Sequence, residues 1–181
     1  MPSRSSSLGL VFVVLSCLPA CGSSLGRPVH LTSGQVESAE LRHEHSDLGQ
    51  RLEATRGLVD ALAKTEDVEV QRRLMGRLVI FFTAQVGEHV RWEEARVYPI
   101  VDRYVGGGTA FTASLRNGHA LIARWTSELS EISASDTPDL PRFVRTCRDL
   151  VGLTRAQMAS EDAVLLPLLE RSLVDVDRRS R

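Results

Sequence analysis

The sequence predicts an all-α protein that folds as an up-down-up-down antiparallel four-helix bundle. Apolar residues recur at steps of three and four along four segments, which is the pattern of amphipathic helices. The connections between these segments are short, so consecutive helices are expected to lie antiparallel. The chain has 181 residues, of which 43% are hydrophobic and 25% charged, and this composition is typical of one globular domain.

The first two helices are predicted from about Gln35 and from about Thr65. The segment 65–67, Thr-Glu-Asp, resembles a helix start, and the glycine run 106–108 is expected to end the second helix. The stripe of the first helix comprises Leu41, His45, Leu48, Leu52, Thr55, Val59 and Leu62. The stripe of the second comprises Leu74, Leu78, Phe82, Gln85, His89, Glu93 and Val97.

The third and fourth helices are predicted on either side of the segment 133–138, whose Ser, Asp and Pro residues interrupt the pattern. The third stripe comprises Leu115, His119, Ile122, Thr126 and Leu129. The fourth comprises Phe143, Leu150, Thr154, Gln157, Glu161, Val164 and Leu168, and it is followed by an Arg-rich tail. No alternating run in the sequence predicts a strand.

The N-terminal segment indicates export from the cytoplasm. A short polar start is followed by an apolar run at 8–18, which is too short to span a bilayer and is typical of a secretory signal. The segment 18–21, Leu-Pro-Ala-Cys, resembles the lipobox of bacterial lipoproteins, with Cys21 as the lipidated residue. Cys17 is a second candidate, and a plain signal with ordinary cysteines is the alternative. Either way, the mature domain is expected in the bacterial cell envelope, lipid-anchored or secreted to the periplasm.

The chain is therefore divided into four parts: a signal peptide at 1–20, a flexible tether at 21–36, the helical domain at 37–175 and an Arg-rich tail at 176–181. The formal net charge is -1 and no basic block is present, so a nucleic-acid partner is not expected. Membrane contact is expected only through the lipid on Cys21. Cys147 is the only cysteine of the helical domain, so no intrachain disulfide can stabilise it.

An internal repeat relates the two halves of the helical domain. The segment 89–99 matches the segment 157–167 at a constant offset of 68, with Glu, an acidic residue, Ala and Pro at equivalent positions. Leu41 and His45 match Leu115 and His119 at a constant offset of 74. The helices thus form two similar hairpins, and pseudo-twofold symmetry is expected to bring equivalent positions of all four helices to one level of the bundle.

Polar residues occupy the apolar stripes at that level. Burying an unpaired polar group costs on the order of 1–3 kcal/mol, and an ionised carboxylate costs more. A metal ion would compensate these groups, because imidazole and carboxylate are ligands for iron, zinc or manganese. The alternative is a hydrogen-bonded network without an ion. The candidate ligands are His45, His89, Glu93, His119, Gln157 and Glu161.

Residues 37–172 resemble the hemerythrin-like, or HHE cation-binding, domains. The resemblance depends on the H-x-x-x-E-E motif that starts at His89, with Pro99 six residues after its first Glu, and on the echo Q-x-x-x-E-D that starts at Gln157. It implies a four-helix bundle with a non-haem iron pair. The ligands that the resemblance implies are His45, His89, Glu93, His119 and Glu161.

The resemblance also implies an asymmetric metal centre. Gln157 stands where the family has His, and Leu115 and Ala123 leave the third helix without a second His. An amide oxygen binds iron more weakly than an imidazole does. We therefore expect one metal at His45 and His89 with the shared carboxylates, and a second, weaker site at His119 with the carboxylates and the amide oxygen of Gln157.

The function implied by the resemblance is binding or sensing of dioxygen, or of a related small oxidant, at a centre with one or two iron ions. No nucleophile, phosphate loop or acid/base pair lies outside the metal cluster, so a binding protein is favoured over an enzyme. One alternative is a bundle without metal that binds a protein partner. Another is a small di-iron oxidase or peroxidase.

Several neighbouring residues are interpreted as accessory. Glu94 and Asp162 follow the candidate bridging carboxylates and are expected to be solvated or to orient a ligand His. Tyr98 is interpreted as a core residue, and so is Cys147. Pro99 and Pro167 each lack a backbone donor and are expected to bend or to end their helices.

Overall fold

The computed structural model describes residues 33–179, and the side chains of residues 36–171. This part of the chain is all-helical, as predicted, with four long helices: α1 (Ser33–Leu62), α2 (68–105), α3 (Ala113–Ala134) and α4 (Leu140–Arg179). Among the described helices, none is both long and apolar enough to cross a membrane. The predicted signal peptide, Cys17 and Cys21 lie outside the described residues.

The ends of the helices agree with the expected start and stop signals. The Asp67 side chain caps α2 by accepting hydrogen bonds from the backbone N–H groups of Glu69 and Val70. Gly106, with φ of 80°, ends the helix in a conformation that favours glycine, and Gly107 and Gly108 also have positive φ. α1 begins at Ser33, inside the segment 21–36 expected as a tether.

α2 is one continuous helix that contains two π-helical segments. Its successive parts are Val68–Ile80, the π segment Phe81–Val86, Gly87–Trp92, the π segment Glu93–Val97, and Tyr98–Val105. The residues at the four junctions all have right-handed helical dihedral angles. Pro99 follows the second π segment, and it cannot donate the hydrogen bond that a regular helix would make to the carbonyl of Ala95.

Two positions predicted on the buried stripes, one on α2 and one on α4, were wrong. Gln85 was expected on the buried stripe, but it is exposed and Val86 is buried instead, because the first π segment shifts the inward face by one residue. Val164 was expected on the buried stripe of α4, but it is exposed and Leu165 is buried instead. Of the two outcomes expected at Pro99 and Pro167, the ending of the helix does not occur, since α2 and α4 continue past them.

The four helices pack as antiparallel neighbours, with α1 against α2 and α4, and α3 against α2 and α4. Their inward faces form two apolar clusters at different levels of the bundle. The larger cluster includes Leu52, Phe82 and Phe143, and the smaller one includes Leu41, Val101 and Leu169. Burial of these side chains provides the main stabilisation of the bundle. Cys147 is fully buried in the larger cluster, and its burial raises the pKa of the thiol to about 12.

Candidate metal centre

A layer of polar side chains separates the two apolar clusters. On α1, His45 lies between Leu41 of the smaller cluster and Leu48 of the larger one, and on α3, His119 lies between Leu115 and Ile122. Glu93 on α2 and Glu161 on α4 occupy the same intermediate position. The six candidate ligands predicted from the sequence are all buried in the bundle: His45, His89, Glu93, His119, Gln157 and Glu161.

Glu93 is the carboxylate that lies beside all three candidate ligand histidines. Its Oε1 lies 3.0 Å from His45 Nε2 and 3.3 Å from His89 Nε2, and its Oε2 lies 3.2 Å from His119 Nε2. The two oxygens of this fully buried side chain therefore face opposite sides of the centre. This is the arrangement expected of a bridging carboxylate.

Glu161 faces the same two sides from the opposite helix. Its Oε2 lies 3.6 Å from His45 Nε2, and its Oε1 lies 3.2 Å from His119 Nε2. His45, His89, Glu93 and Glu161 each present one ligand atom within 4.8 Å of the others. His119 lies on the other side of the two carboxylates.

The carboxylates and imidazoles shift one another's pKa. Burial alone raises the pKa of Glu93, but the neighbouring imidazoles of His119, His45 and His89 outweigh it and hold the pKa well below its ordinary value. Burial alone lowers the pKa of His119, but Glu161 and Glu93 raise it to about 10. The pKa of His45 is raised in the same way by Glu93 and Asp162, against the effect of burial.

Two further carboxylates orient the rings of the histidines, as predicted for these positions. His45 donates from Nδ1 to Asp162 Oδ1 at 2.8 Å, and His119 donates from Nδ1 to Glu94 Oε1 at 3.0 Å. In both cases the second ring nitrogen, Nε2, is left facing Glu93 and Glu161. His89 is held differently, with its ring stacked on Trp92 at a centroid distance of 6.1 Å.

Gln157 lies in the centre, but its amide nitrogen faces Glu161. The nitrogen donates to Glu161 Oε1 at 2.7 Å and to the carbonyl oxygen of Leu115 at 3.2 Å. The amide oxygen lies against Gly118, where an added Cβ would approach it to 2.2 Å. Both partners accept a hydrogen bond from the amide nitrogen, so they fix the orientation of the amide.

Tyr98 is the residue of the centre whose role the sequence did not indicate. Its ring is fully buried in the smaller cluster, as expected of a core residue, but its hydroxyl donates to Glu161 Oε1 at 2.5 Å and lies 3.1 Å from His119 Nε2. Burial, together with the charges of Glu161 and Glu93, raises the pKa of Tyr98 far above its ordinary value, so the phenol stays neutral. The sequence signal that could have indicated this role is that Tyr98 differs from Leu166, which occupies the equivalent position of the repeat.

The donor set fits a bound cation. Several buried polar atoms have no hydrogen-bond partner, and leaving each of them unpaired costs about 1–3 kcal/mol. Nitrogen and oxygen donors of this kind bind iron, zinc or manganese. In the centre, the unpaired atoms that face the carboxylates and histidines are His89 Nε2, Glu93 Oε2 and Glu161 Oε2.

A four-helix bundle with a buried cluster of histidines and glutamates defines a class of cation-binding helical proteins. The family model described as the hemerythrin HHE cation binding domain matches residues 36–169, and the chain belongs to this family. The resemblance inferred from the two repeated motifs is thereby confirmed. Comparison with curated proteins and with solved structures gave no match.

Proposed function

We propose that this protein is a non-haem iron protein of the bacterial cell envelope that binds or senses dioxygen or a related small oxidant. Membership of the cation-binding family and the buried histidine and glutamate cluster support the metal. The apolar run and lipobox-like segment at the N-terminus support the envelope location. The resemblance to hemerythrin-like domains supports the small oxidant as ligand.

The observation that most favours a bound cation is the set of buried atoms without hydrogen-bond partners. His89 Nε2, Glu93 Oε2 and Glu161 Oε2 are such atoms, and two of them, His89 Nε2 and Glu161 Oε2, lie on the side of the centre that includes His45. On this side His45, His89, Glu93 and Glu161 would bind the ion. Bound iron would supply redox chemistry and, at an open coordination position, affinity for a small oxidant.

The surrounding residues position the donors and exclude water. The two apolar clusters lie on either side of the polar layer along the bundle, and Trp92 covers one face of the His89 ring. Asp162 holds the His45 ring so that Nε2 faces the carboxylates. A centre built in this way keeps its donors in place and limits access to small molecules.

An optical experiment tests the proposed ligand. The full chain is loaded with ferrous iron without air and then exposed to air, and near-ultraviolet charge-transfer absorption is expected to develop. Glu93→Ala should abolish the change, whereas Glu88→Ala, a control in the same helix at an exposed position, should retain it. An unchanged spectrum in the loaded wild-type protein would exclude oxygen binding.

Two alternatives predict different results. A bundle that functions without metal would keep its melting temperature when a chelator is added. A protein that binds iron should lose stability, by about 2.7 kcal/mol if the free ion was at 100 times its dissociation constant. A di-iron peroxidase would consume peroxide catalytically, at a rate that collapses in Glu93→Ala.

Cell fractionation tests the envelope location. With Cys21 as the lipidated residue, Cys21→Ser should move the protein from the membrane fraction to a soluble fraction, whereas Cys17→Ser should leave it in the membrane. The reverse result would assign the lipid to Cys17. Retention of both variants and the wild type in the cytoplasm would exclude export.

A further inference from the structure

The two oxygens of Glu161 differ in their surroundings. Oε1 accepts hydrogen bonds from the Tyr98 hydroxyl at 2.5 Å and from Gln157 Nε2 at 2.7 Å. Oε2 accepts none, and it lies 3.6 Å from His45 Nε2. Oε1, on the His119 side, is therefore occupied by hydrogen bonds, whereas Oε2, on the side of His45 and His89, has no hydrogen-bond partner.

The orientation of Gln157 removes one metal-binding atom from the His119 side of the centre. An amide binds a cation through its oxygen, and this oxygen is turned away from Glu161 and lies against Gly118. Rotation of the amide would break two hydrogen bonds, those to Glu161 and to the carbonyl of Leu115. Gln157 thus acts as a hydrogen-bond donor to the carboxylate rather than as a ligand.

Tyr98 reaches this position because of the second π segment. In a regular α-helix, a residue five positions after Glu93 would point about 140° away from it. The segment Glu93–Val97 is π-helical, and its wider turn brings Tyr98 onto the same face as Glu93. Its hydroxyl lies among Glu161, His119 and Gln157, at distances of 2.5, 3.1 and 3.5 Å.

The metal-binding atoms that remain on the His119 side of the centre are too few to hold a cation tightly. They are His119 itself and Glu93 Oε2, which lie 3.2 Å apart. On the opposite side, four residues place ligand atoms within 4.8 Å of one another. The asymmetry arises from Tyr98 and Gln157, because Leu166 and His89 occupy the equivalent positions of the repeat.

We propose that Tyr98 and Gln157 close the His119 side of the centre, so that the protein binds a single cation through His45, His89, Glu93 and Glu161. This inference depends on the proposed function, since it presupposes a bound cation. Both residues act through Glu161 and are positioning residues: they hold one oxygen of the carboxylate in hydrogen bonds and leave the other for the ion.

Metal stoichiometry tests the inference. The full chain is dialysed to equilibrium without air against excess ferrous iron, and iron per chain is measured by mass spectrometry. We expect one tightly bound ion in the wild type and in Tyr104→Phe, a control at the half-exposed second tyrosine. We expect two in the double variant Tyr98→Phe with Gln157→His, which frees Glu161 Oε1 and adds an imidazole opposite Gly118.

Three results would overturn the inference while leaving iron binding intact. Two tightly bound ions in the wild type would show that the His119 side is open, and this measurement requires no variant. A folded double variant that still binds one ion would show that other residues close that side. A visible tyrosinate-to-iron band that is lost in Tyr98→Phe and kept in Tyr104→Phe would make Tyr98 a ligand. Binding of no iron by the wild type would instead refute the proposed function.

Discussion

His45 and Asp162 are joined by a hydrogen bond of 2.8 Å from the ring nitrogen Nδ1 to the carboxylate, which links α1 to α4 beside the candidate metal centre. The repeat places an equivalent bond between His119 and Glu94, which links α3 to α2 at 3.0 Å. Each bond leaves the Nε2 atom of its histidine directed at Glu93 and Glu161. The internal repeat of the sequence therefore also relates the two hydrogen bonds that orient the histidine rings.

Asp162→Asn is predicted to weaken metal binding. The amide cannot accept the hydrogen bond as strongly as the carboxylate, so the His45 ring loses orientation and basicity, and the affinity should fall by about 10- to 100-fold. Competition with a metal-binding dye measures the affinity. Asp149→Asn, at an exposed position of the same helix, is the control and should bind as the wild type does. Equal affinities of the two variants would contradict an orienting role for Asp162.

Glu94→Gln is predicted to have a much smaller effect than Asp162→Asn. The bond from His119 to Glu94 is the symmetric counterpart of the bond from His45 to Asp162, but His119 lies on the side that Tyr98 and Gln157 close. We expect a loss of affinity of less than about threefold, against the 10- to 100-fold expected for a partner of a ligand histidine. Losses of similar size in both variants would indicate that both sides bind metal.

Much of the fold was predictable because its signals are local. Helical periodicity located all four helices, and the cap at Asp67 and the glycine run 106–108 set the ends of α2. The candidate ligands were identifiable because a charged or imidazole side chain on an otherwise apolar stripe is costly to bury. The internal repeat further predicted that these side chains lie at one level of the bundle. It also identified Glu94 and Asp162 as equivalent residues beside the candidate ligands.

The contacts that make the two sides of the candidate centre different were harder to predict. A regular helical period places Tyr98 away from Glu93, and only the π segment brings its hydroxyl to Glu161. The sequence showed that Gln157 replaces a histidine, but not which atom of its amide faces the centre. That orientation depends on the carbonyl of Leu115 and on the space beside Gly118, which come from another helix.

Gly118→Ala is predicted to destabilise the protein, although alanine favours helices. A Cβ at this position would lie 2.2 Å from the Gln157 amide oxygen, so the amide would have to move and lose its buried hydrogen bonds. The loss of those bonds costs about 1–3 kcal/mol, more than the gain in helix propensity of about 0.5–1 kcal/mol.

Gly152→Ala on α4 is the control for this substitution. No atom lies within 4 Å of the added Cβ, so the variant should gain about 0.5–1 kcal/mol in the free energy of unfolding. Urea unfolding of the two variants measures the difference. Equal stabilisation by both substitutions would show that Gly118 is not needed to accommodate Gln157.

The metal-free protein is predicted to lose stability as the pH rises above neutrality. The folded-state pKa of His119 is raised to about 10 by Glu161 and Glu93, compared with an ordinary value of 6.5. The stabilisation from this raised pKa is therefore fully present below about pH 6.5 and is lost as the pH approaches 10. Melting temperatures of the chelator-treated protein should fall across this window, and less steeply in His119→Gln. An equal slope in the two proteins would contradict the assignment.

Metal binding is predicted to have the opposite pH dependence. Imidazoles must be neutral to bind a cation, and Glu93 and Asp162 raise the pKa of His45, so protons compete with the metal even near neutrality. Binding at about pH 7.5 should release protons, which a pH indicator in weak buffer detects, and the metal should leave as the pH falls towards and below about 6. Equilibrium dialysis at successive pH values measures the loss. Full retention at about pH 4 would exclude ligation by histidine, because free imidazoles are protonated there.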